Sequence, residues 1–404
     1  MLRRTIKVWA NVPMAPPDPI LGITEAFKKD SNPNKINLGV GAYRDDKGKP
    51  WILPSVRKAE QLLRESDKEY DPISGNAKFC QLSQELTFGK KMDNIATVQT
   101  ISGTGALRLA GEFLKLFSPA DVYLPNPSWG NHKPIFVNSG LAVKEYTYYD
   151  PKTCGFNMAG MLKDIKAIKS NSIILLHACA HNPTGVDPKP EQWQKILETI
   201  VDKKHTVLMD MAYQGFSSGD PTKDASALRL FTKHSNDLNA LLVCQSFAKN
   251  FGLYGERVGT LSVVGKDNEE KERLMSQLKK TIRPMYSNPP IHGSKLVRLI
   301  LSTPELKEQW HKDLLTMSSR IFNMRSTLRS NLEKLESKLN WSHITTQIGM
   351  FCYSGLTAQE VERLKNEFSI YLTKDGRISM AGVSSDNVNY LASSIHTVTS
   401  TRSQ

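Results

Sequence analysis

The feature of the sequence that most constrains the fold is an alternation of short apolar runs with amphipathic segments, which begins near Thr97. The apolar runs are "TVQTI", "DVYLP", "SIILLHA", "HTVLMD", "ALLVCQS" and "RVGTLSVVG". Segments with helical periodicity, such as "GALRLAGEFLKLF" and "PEQWQKILETIVDKK", separate them. This alternation is typical of βαβ units around a buried, mostly parallel sheet. The central part of the chain is therefore predicted to be an α/β domain.

The pattern changes beyond Asp267, where helical periodicity predominates. A long helix is predicted from Thr303 to about Ser337, followed by a strand-like "IGMFCYSG" and a helix "TAQEVERLKNEF". A strand pair around "IYLTKDGRISMAG" and a final helix from Ser385 complete the prediction. This α+β region, joined by the N-terminal segment, predicts a second, smaller domain.

Composition restricts the class of protein further. At 404 residues the chain is long enough for two domains, and no apolar run is long enough to predict a membrane span. Its five cysteines form no CxxC pair, which indicates reduced thiols in an intracellular compartment. The net charge of +13 fits either nucleic acid or small anionic substrates. Because basic and acidic residues are interspersed, we do not expect nucleic-acid binding.

Residues that follow the apolar runs are the candidate site residues, because ligands of open α/β sheets bind beyond the carboxyl ends of the strands. Ser102, Gly103 and Thr104 follow the first run and leave free N–H groups at a helix N-terminus, an arrangement that binds phosphate. A tight turn with a helix cap would explain the same residues. Trp129 and His132 follow the second run, where an aromatic side chain is also compatible with the core.

The third run is followed by "HNPTG". His177 and His181 have the spacing that binds zinc on a helix. Because they follow a strand, in which four residues span about 13 Å, we predict no metal site there. Asn182 remains a candidate, since Pro183 fixes the turn that presents its side chain.

The last runs are followed by charged residues. Asp210 closes an apolar run, so its carboxylate is desolvated unless it has a cationic partner or caps a helix, and Tyr213 lies three residues on. Lys249 in apolar surroundings would have a lowered pKa and is a candidate Schiff-base nucleophile. Ser246 and Arg257 are donors that suit a phosphate. Pyridoxal phosphate requires three groups of this kind: a lysine that binds its aldehyde, a site for its phosphate and a carboxylate that pairs with its pyridinium nitrogen.

Seven segments of the chain have an order and spacing that resemble the aspartate aminotransferases, a family of fold-type I pyridoxal-phosphate enzymes. They are "SGTGALR", "SWGNH", "HACAHNPTGVDP", "DMAYQGF", "QSFAKNFGLYGERVG", "IRPMYSNPP" and "TKDGRISMAG". The resemblance extends from "APPDPILGITEAFKKD" to "NVNYLASSIH" and is greatest to mitochondrial members from animals. It implies a large domain with a mostly parallel seven-stranded sheet flanked by helices, and a smaller α+β domain. It also implies the exchange of L-aspartate and 2-oxoglutarate for oxaloacetate and L-glutamate, by a ping-pong mechanism through an internal aldimine on Lys249.

The resemblance implies a role for each matching residue. Lys249 would carry the proton that moves between the substrate Cα and the C4′ atom of the cofactor. Asp210 would pair with the pyridinium nitrogen, and His132 would orient Asp210. Residues implied to contact the cofactor are Trp129, Tyr213, Asn182, Ser102, Gly103, Thr104, Ser246, Arg257 and, from a partner subunit, Tyr70 and Ser287. Residues implied to bind substrate are Arg377 at the α-carboxylate, Arg283 from a partner subunit at the distal carboxylate, and Gly41, Phe351, Trp129 and Asn182.

The implied assembly is a homodimer with shared active sites that acts on small dicarboxylic amino and keto acids. Residues 1–14 would form an arm over the partner subunit, residues 15–45 and 317–404 the small domain, and residues 46–316 the large domain. The basic start "MLRRTIKVWANV" fits a short targeting remnant or a basic arm, so we expect the mitochondrial matrix, with the cytoplasm as the alternative. Two other functions stay open: an aminotransferase for aromatic amino acids or kynurenine, and a catalytically silent relative that binds lipid or nucleic acid.

Overall fold

A seven-stranded sheet forms the centre of the computed structural model, which describes residues 8–16, 21–39, 41–65 and 67–402. The first seven residues of the predicted arm lie outside the described residues, as do residues 17–20, 40, 66 and 403–404 of the predicted domains. The strands lie side by side in the order Ile95–Ile101, Val258–Val264, Ala240–Ser246, Thr206–Met211, Ile173–His177, Val122–Asn126 and Val143–Thr147. Val258–Val264 is antiparallel to both of its neighbours, and the other pairs are parallel. The predicted mostly parallel sheet is confirmed.

Both faces of the sheet are covered, which is why its central strands read as continuous apolar runs. Successive residues of Ile173–His177 point to opposite faces. Leu175 packs in one buried cluster with Phe113, and Leu176 packs in another with Trp193. The edge strand Val143–Thr147 is different because its residues 144 and 145 are exposed, so it has no apolar run. It is the one strand of this sheet that the apolar pattern does not predict.

Helices cover the sheet. They are Pro54–Leu62, Ala77–Phe88, Ser102–Phe117, His132–Asn138, Met158–Ala167, Pro190–Asp202, Pro221–Asp224, Ser226–Lys233, Asn268–Met285 and His292–Ser302. A short hairpin pairs Tyr149–Asp150 with Gly155–Phe156, and single 3₁₀ turns span Val8–Asn11, Ser235–Asp237 and Met380–Gly382. None of the helices in the described part of the chain is both long and apolar enough to cross a membrane.

The remaining helices are Leu21–Lys29, Pro304–Lys334, His343–Thr346, Ala358–Phe368 and Val388–Thr399. The long helix predicted from the sequence is confirmed as Pro304–Lys334. It begins at a proline, because the first turn of a helix needs no donor from the proline nitrogen. Its apolar face joins the largest buried cluster, which also contains Phe351 and Leu391.

The strand pair predicted around "IYLTKDGRISMAG" is wrong. Both strands form, but Ile370–Tyr371 pairs in parallel with Ile36–Asn37, and Arg377–Ser379 pairs antiparallel with Phe351–Tyr353. Each strand therefore has a partner that is distant in the sequence, which a local pattern does not reveal. The second pairing carries Arg377 and Phe351 toward the carboxyl edge of the large sheet.

Candidate active site

A pocket lies at the carboxyl edge of the central strands, beside His177, Asp210 and Ser246. Its lining brings together most of the side chains that the sequence predicted as site residues: Gly41, Ser102, Gly103, Thr104, Trp129, Asn182, Asp210, Tyr213, Ser246, Lys249, Arg257, Phe351 and Arg377. These residues come from turns of the large sheet and from the C-terminal region. The pocket is therefore formed where the two parts of the fold meet.

Lys249 lies in the wall of this pocket, with its Nζ atom 5.3 Å from the centre of the Tyr213 ring. Burial lowers the pKa of Lys249, the carboxylate of Asp210 opposes that shift, and the charge of Arg257 adds to it. A lysine with a lowered pKa has a larger fraction of free amine, which is the form that attacks an aldehyde. Lys249 is thus suited to form a Schiff base.

Asp210 is buried at the end of its strand and is held by His132, whose Nε2 donates to Oδ2 at 2.9 Å. On its other side, His132 Nδ1 shares a hydrogen bond of 2.8 Å with the hydroxyl of Ser128. Burial alone would raise the pKa of Asp210, but the hydrogen bond and charge of His132 hold it below its ordinary value. Asp210 therefore stays ionised in an apolar wall, as a partner for a ring cation must.

His177 and His181 lie side by side, with ring centres 4.2 Å apart. The sequence argument that placed them about 13 Å apart was wrong, because the strand ends at His177 and the chain then turns through Ala180, whose φ is 49°. Burial lowers the pKa of His177 to about 3 and holds the pKa of His181 well below its ordinary value, so both rings are neutral at pH 7. No cluster of three or more potential metal ligands occurs among the described residues.

One end of the pocket is built for an anion. The Ser102–Phe117 helix begins here, and no described side chain caps its N-terminus, so its first N–H groups point at the pocket uncompensated. A Cβ on Gly103 would lie 3.1 Å from Ser246 Cβ, so glycine leaves space at this point. Ser246 and Arg257 add a hydroxyl and a guanidinium. This donor set fits the phosphate of pyridoxal phosphate.

The other end of the pocket contains Arg377. One of its nitrogens lies 3.3 Å from Asn182 Oδ1, the other donates to the carbonyl of Gly39 at 3.1 Å, and the guanidinium lies 4.4 Å from the centre of the Phe351 ring. Burial lowers the pKa of Arg377 from its ordinary value without discharging it. The guanidinium is suited to bind a carboxylate with two hydrogen bonds.

Four predicted residues do not line this pocket. His132 lies behind Asp210, which it holds, and the other three, Tyr70, Arg283 and Ser287, lie on the surface. Tyr70 is 81% exposed, and Arg283 donates to Ser287 Oγ at 2.6 Å on the surface. Asn288, next to Ser287, donates to the carbonyl of Asp71 at 2.7 Å, so the three residues belong to one surface patch. They are the residues that the resemblance assigns to a partner's site.

Four residues that line the pocket are not predicted from the sequence: Leu107, His177, Cys179 and Ala212. His177 was considered only as a metal ligand, although its place at the end of a strand was a usable signal. Leu107 lies on the helix that begins at Ser102 and has no chemical signature of its own. The other two are small side chains beside predicted site residues.

Comparisons with known proteins agree with this geometry. The chain belongs to the family described as aminotransferase class I and II, whose model matches residues 33–395. It is 57% identical to the mitochondrial aspartate aminotransferase of Xenopus tropicalis, over 97% of this chain and 93% of that protein.

Solved structures give the same result. The cytoplasmic aspartate aminotransferase of Saccharomyces cerevisiae matches with a TM-score of 0.95 and 43% identity, over 98% of this chain and 99% of that one. An aromatic-amino-acid aminotransferase from Burkholderia pseudomallei, covalently bound to pyridoxal phosphate, matches with a TM-score of 0.94 and 40% identity, over 97% of this chain and 100% of that one. Family membership therefore extends over nearly the whole chain.

Proposed function

We propose that the chain is a pyridoxal-phosphate-dependent aspartate aminotransferase, which exchanges L-aspartate and 2-oxoglutarate for oxaloacetate and L-glutamate. The observation that carries this proposal is the pocket itself, in which Lys249, Asp210 and an uncapped helix N-terminus face one space. The names of the relatives support the reaction. When bound, pyridoxal phosphate supplies an electron sink for the negative charge left by the substrate's Cα proton.

Lys249 would hold the cofactor through its aldehyde and, once the substrate amine has displaced its Nζ atom from that carbon, would take the proton from the substrate Cα. Asp210, oriented by His132, would keep the proton on the pyridinium nitrogen. The phosphate would be bound by Ser102, Gly103, Thr104, Ser246 and Arg257, and the ring would be positioned by Trp129, Asn182 and Tyr213. Burial of the pocket excludes water from the reacting atoms.

Selectivity for dicarboxylates rests on two arginines. Arg377 binds the α-carboxylate that all the substrates share, with Gly41 and Phe351 beside it. Arg283 of a second copy binds the distal carboxylate. A guanidinium makes two parallel hydrogen bonds to a carboxylate, so each arginine selects both charge and orientation.

The enzyme is a homodimer in which each site takes residues from both subunits. This proposal is supported by the surface patch of Tyr70, Arg283 and Ser287, whose polar groups are suited to a site but lie outside the described pocket of their own subunit. The exposed apolar side chains of Trp9 and Met14, at 79% and 97% exposure, support an arm over the partner. A closed two-fold assembly satisfies both observations.

Residues 15–45 and 317–404 form the small domain and residues 46–316 the large one, so the pocket lies between them. The protein acts in the mitochondrial matrix, as the name of the relative from Xenopus tropicalis suggests. Fluorescence microscopy of the full chain with a C-terminal tag tests the location, and purely cytoplasmic signal contradicts it.

The test of the function is an absorption spectrum and a coupled assay with aspartate and 2-oxoglutarate. Wild-type protein is expected to be yellow and active, whereas Lys249→Ala should lose at least about 10⁴-fold in turnover because it removes both the nucleophile and the proton carrier. Lys223→Ala, which changes an exposed lysine, is the matched control and should remain active. A colourless wild-type protein that takes up no added cofactor would refute the proposal.

Aromatic amino acids are the second candidate substrates, because the matched Burkholderia pseudomallei structure is an aromatic-amino-acid aminotransferase. The same assay with phenylalanine in place of aspartate distinguishes the two. We expect the specificity constant for aspartate to be the larger.

A further inference from the structure

Arg325, in the Pro304–Lys334 helix, is an arginine only 1% exposed to solvent. Its guanidinium donates to three backbone carbonyls: those of Ile344 and Gly349, each at 2.9 Å, and that of Phe351. No described carboxylate forms an ion pair with it, and the thiol of Cys352 is its other polar neighbour. The positive charge is therefore stabilised mainly by carbonyl dipoles and not by a carboxylate counter-ion.

A buried cation without a counter-ion is costly, so the position needs a compensating reason. Charge-assisted hydrogen bonds to carbonyls are stronger than neutral ones, and three of them fix the segment 344–351 to the helix. The rigid fork of the guanidinium sets the spacing of the carbonyls that it binds. Arg325 thus determines where this segment lies.

The segment also touches the large sheet's turn at residues 180–185. The N–H of Ile348 donates to the carbonyl of Gly185 at 2.7 Å. A Cβ on Gly349 would lie 2.6 Å from the Cβ of Ala180, and a Cβ on Gly185 would lie 2.5 Å from the carbonyl oxygen of Phe351. With so little space, a shift of the segment moves the turn that carries Asn182.

Phe351 at the end of the segment contacts two site residues. Its ring lies beneath the guanidinium of Arg377 at 4.4 Å and meets the Tyr213 ring edge-on at 5.8 Å. Arg377 is also held by Asn182, at 3.3 Å. Two of the three contacts of Arg377, those with Phe351 and Asn182, therefore depend on the segment that Arg325 fixes; the third is with the carbonyl of Gly39.

We propose that Arg325 is a positioning residue for substrate binding: by holding the carbonyls of Gly349 and Phe351, it places the aromatic ring and the turn between which Arg377 binds the substrate α-carboxylate. This inference rests on the proposed role of Arg377. Loss of Arg325 should therefore weaken the binding of every substrate, since all of them carry the α-carboxylate that Arg377 binds. The chemical step, carried by Lys249, does not depend on it.

The experiment compares Arg325→Lys and Arg325→Met with wild-type holoenzyme. We expect KM for aspartate and for 2-oxoglutarate to rise about tenfold, with kcat changed less than about threefold, because the lost contact serves binding and not the proton transfer. The dissociation constant of succinate, a dicarboxylate that does not react, should rise by a similar factor. The cofactor absorption spectrum should not change.

Arg329→Met is the matched control, since Arg329 lies one turn further along the same helix but donates to side chains, those of Thr345 and Glu333, and to no backbone carbonyl of the described segment 344–351. It should leave KM and succinate binding unchanged. A Phe351→Leu variant closes a double-mutant cycle, and its effect on succinate binding should not add to that of Arg325→Lys.

Unchanged KM and succinate affinity in folded Arg325 variants would overturn the inference while leaving the proposed function intact. If neither variant folds, Arg325 serves folding and the inference is equally overturned. An inactive wild-type protein would instead reject the proposed function.

Discussion

Arg377 and Asn182 are 195 positions apart in the chain, yet a guanidinium nitrogen of the first lies 3.3 Å from the side-chain oxygen of the second. One belongs to the C-terminal region and the other to a turn of the large sheet. Their contact closes the pocket across the two parts of the fold. In the proposed function, this contact links the residue proposed to bind the substrate α-carboxylate, Arg377, to a residue proposed to face the cofactor ring, Asn182.

Arg377→Lys should reduce kcat/KM for both aspartate and 2-oxoglutarate by about 10²-fold, because an ammonium cannot form two parallel bonds to a carboxylate. Steady-state kinetics with both substrates measure the change. An effect confined to one of the two substrates would contradict the assignment of Arg377 to the carboxylate that they share.

Arg283→Gln should lower kcat/KM for aspartate by a similar factor and spare alanine, which has no distal carboxylate. The ratio of the two specificity constants measures this selectivity. Equal losses for aspartate and alanine would show that Arg283 acts on folding or assembly and not on selectivity.

Mixed dimers test whether the sites are shared. Lys249→Ala and Arg283→Gln are each expected to be nearly inactive toward aspartate, but after subunit exchange a mixed dimer has one intact site. Since half of the dimers are mixed at equal concentrations, about a quarter of wild-type activity should return. Sites formed within one subunit would regain no activity on mixing.

The free energy of unfolding should fall as the pH falls from 7 to 5, in part because of His177. Its pKa is about 3 in the folded protein and 6.5 in an exposed histidine, so the unfolded chain binds a proton that the folded one does not. This stabilisation is complete above pH 6.5 and is lost as the pH falls toward 3. One such histidine contributes about 2 kcal/mol between pH 6.5 and pH 5.

Urea unfolding of wild type and His177→Gln at pH 7 and pH 5, at one protein concentration, checks this expectation. The variant should lose less stability between the two values. His234→Gln, which changes a half-exposed histidine, should behave like wild type. Equal losses in wild type and His177→Gln would contradict the pKa assigned to His177.

Gly185→Ala should destabilise the fold by about 3 kcal/mol, because the residue has a positive φ of 67° and its new Cβ would lie 2.5 Å from a carbonyl oxygen. Gly48 is the matched control, since its φ is 71° and no described atom lies within 4 Å of a built Cβ. Gly48→Ala should cost only about 1 kcal/mol, the backbone part of the effect. Thermal unfolding of both variants separates the close contact from the backbone cost.

Much of the site could be predicted because its residues follow the ends of parallel strands. Asp210 and Ser246 are found by that rule alone, and Lys249 follows from the same strand. The pairing of strands that are distant in the sequence could not be predicted from local patterns. The strand Ile370–Tyr371 pairs with residues 36–37, more than 300 positions away. The edge strand Val143–Thr147 was not predicted because it has exposed charged residues and no apolar run.

The histidine spacing shows a second limit. A strand fixes the distance between its residues, but the chain after His177 turns at Ala180, and two rings expected about 13 Å apart come into contact. Cys179 and Leu107 also line the pocket, but neither belongs to a sequence motif or carries a charge that would have indicated a site. Such residues are defined only by the tertiary structure.

The antiparallel strand Val258–Val264 has a consequence for how this site can change. The chain leaves the sheet at Ser246 and re-enters it at Val258, and the next residue, Gly259, pairs with Ser246. The connecting residues 247–257 therefore stay at the carboxyl edge of the parallel strands. The lysine is thus carried by a short connection tethered at both ends to adjacent strands. An insertion or deletion in this connection would strain the ends of both strands. The reactivity of Lys249 is therefore more easily changed by replacing side chains around it than by changing the length of the connection.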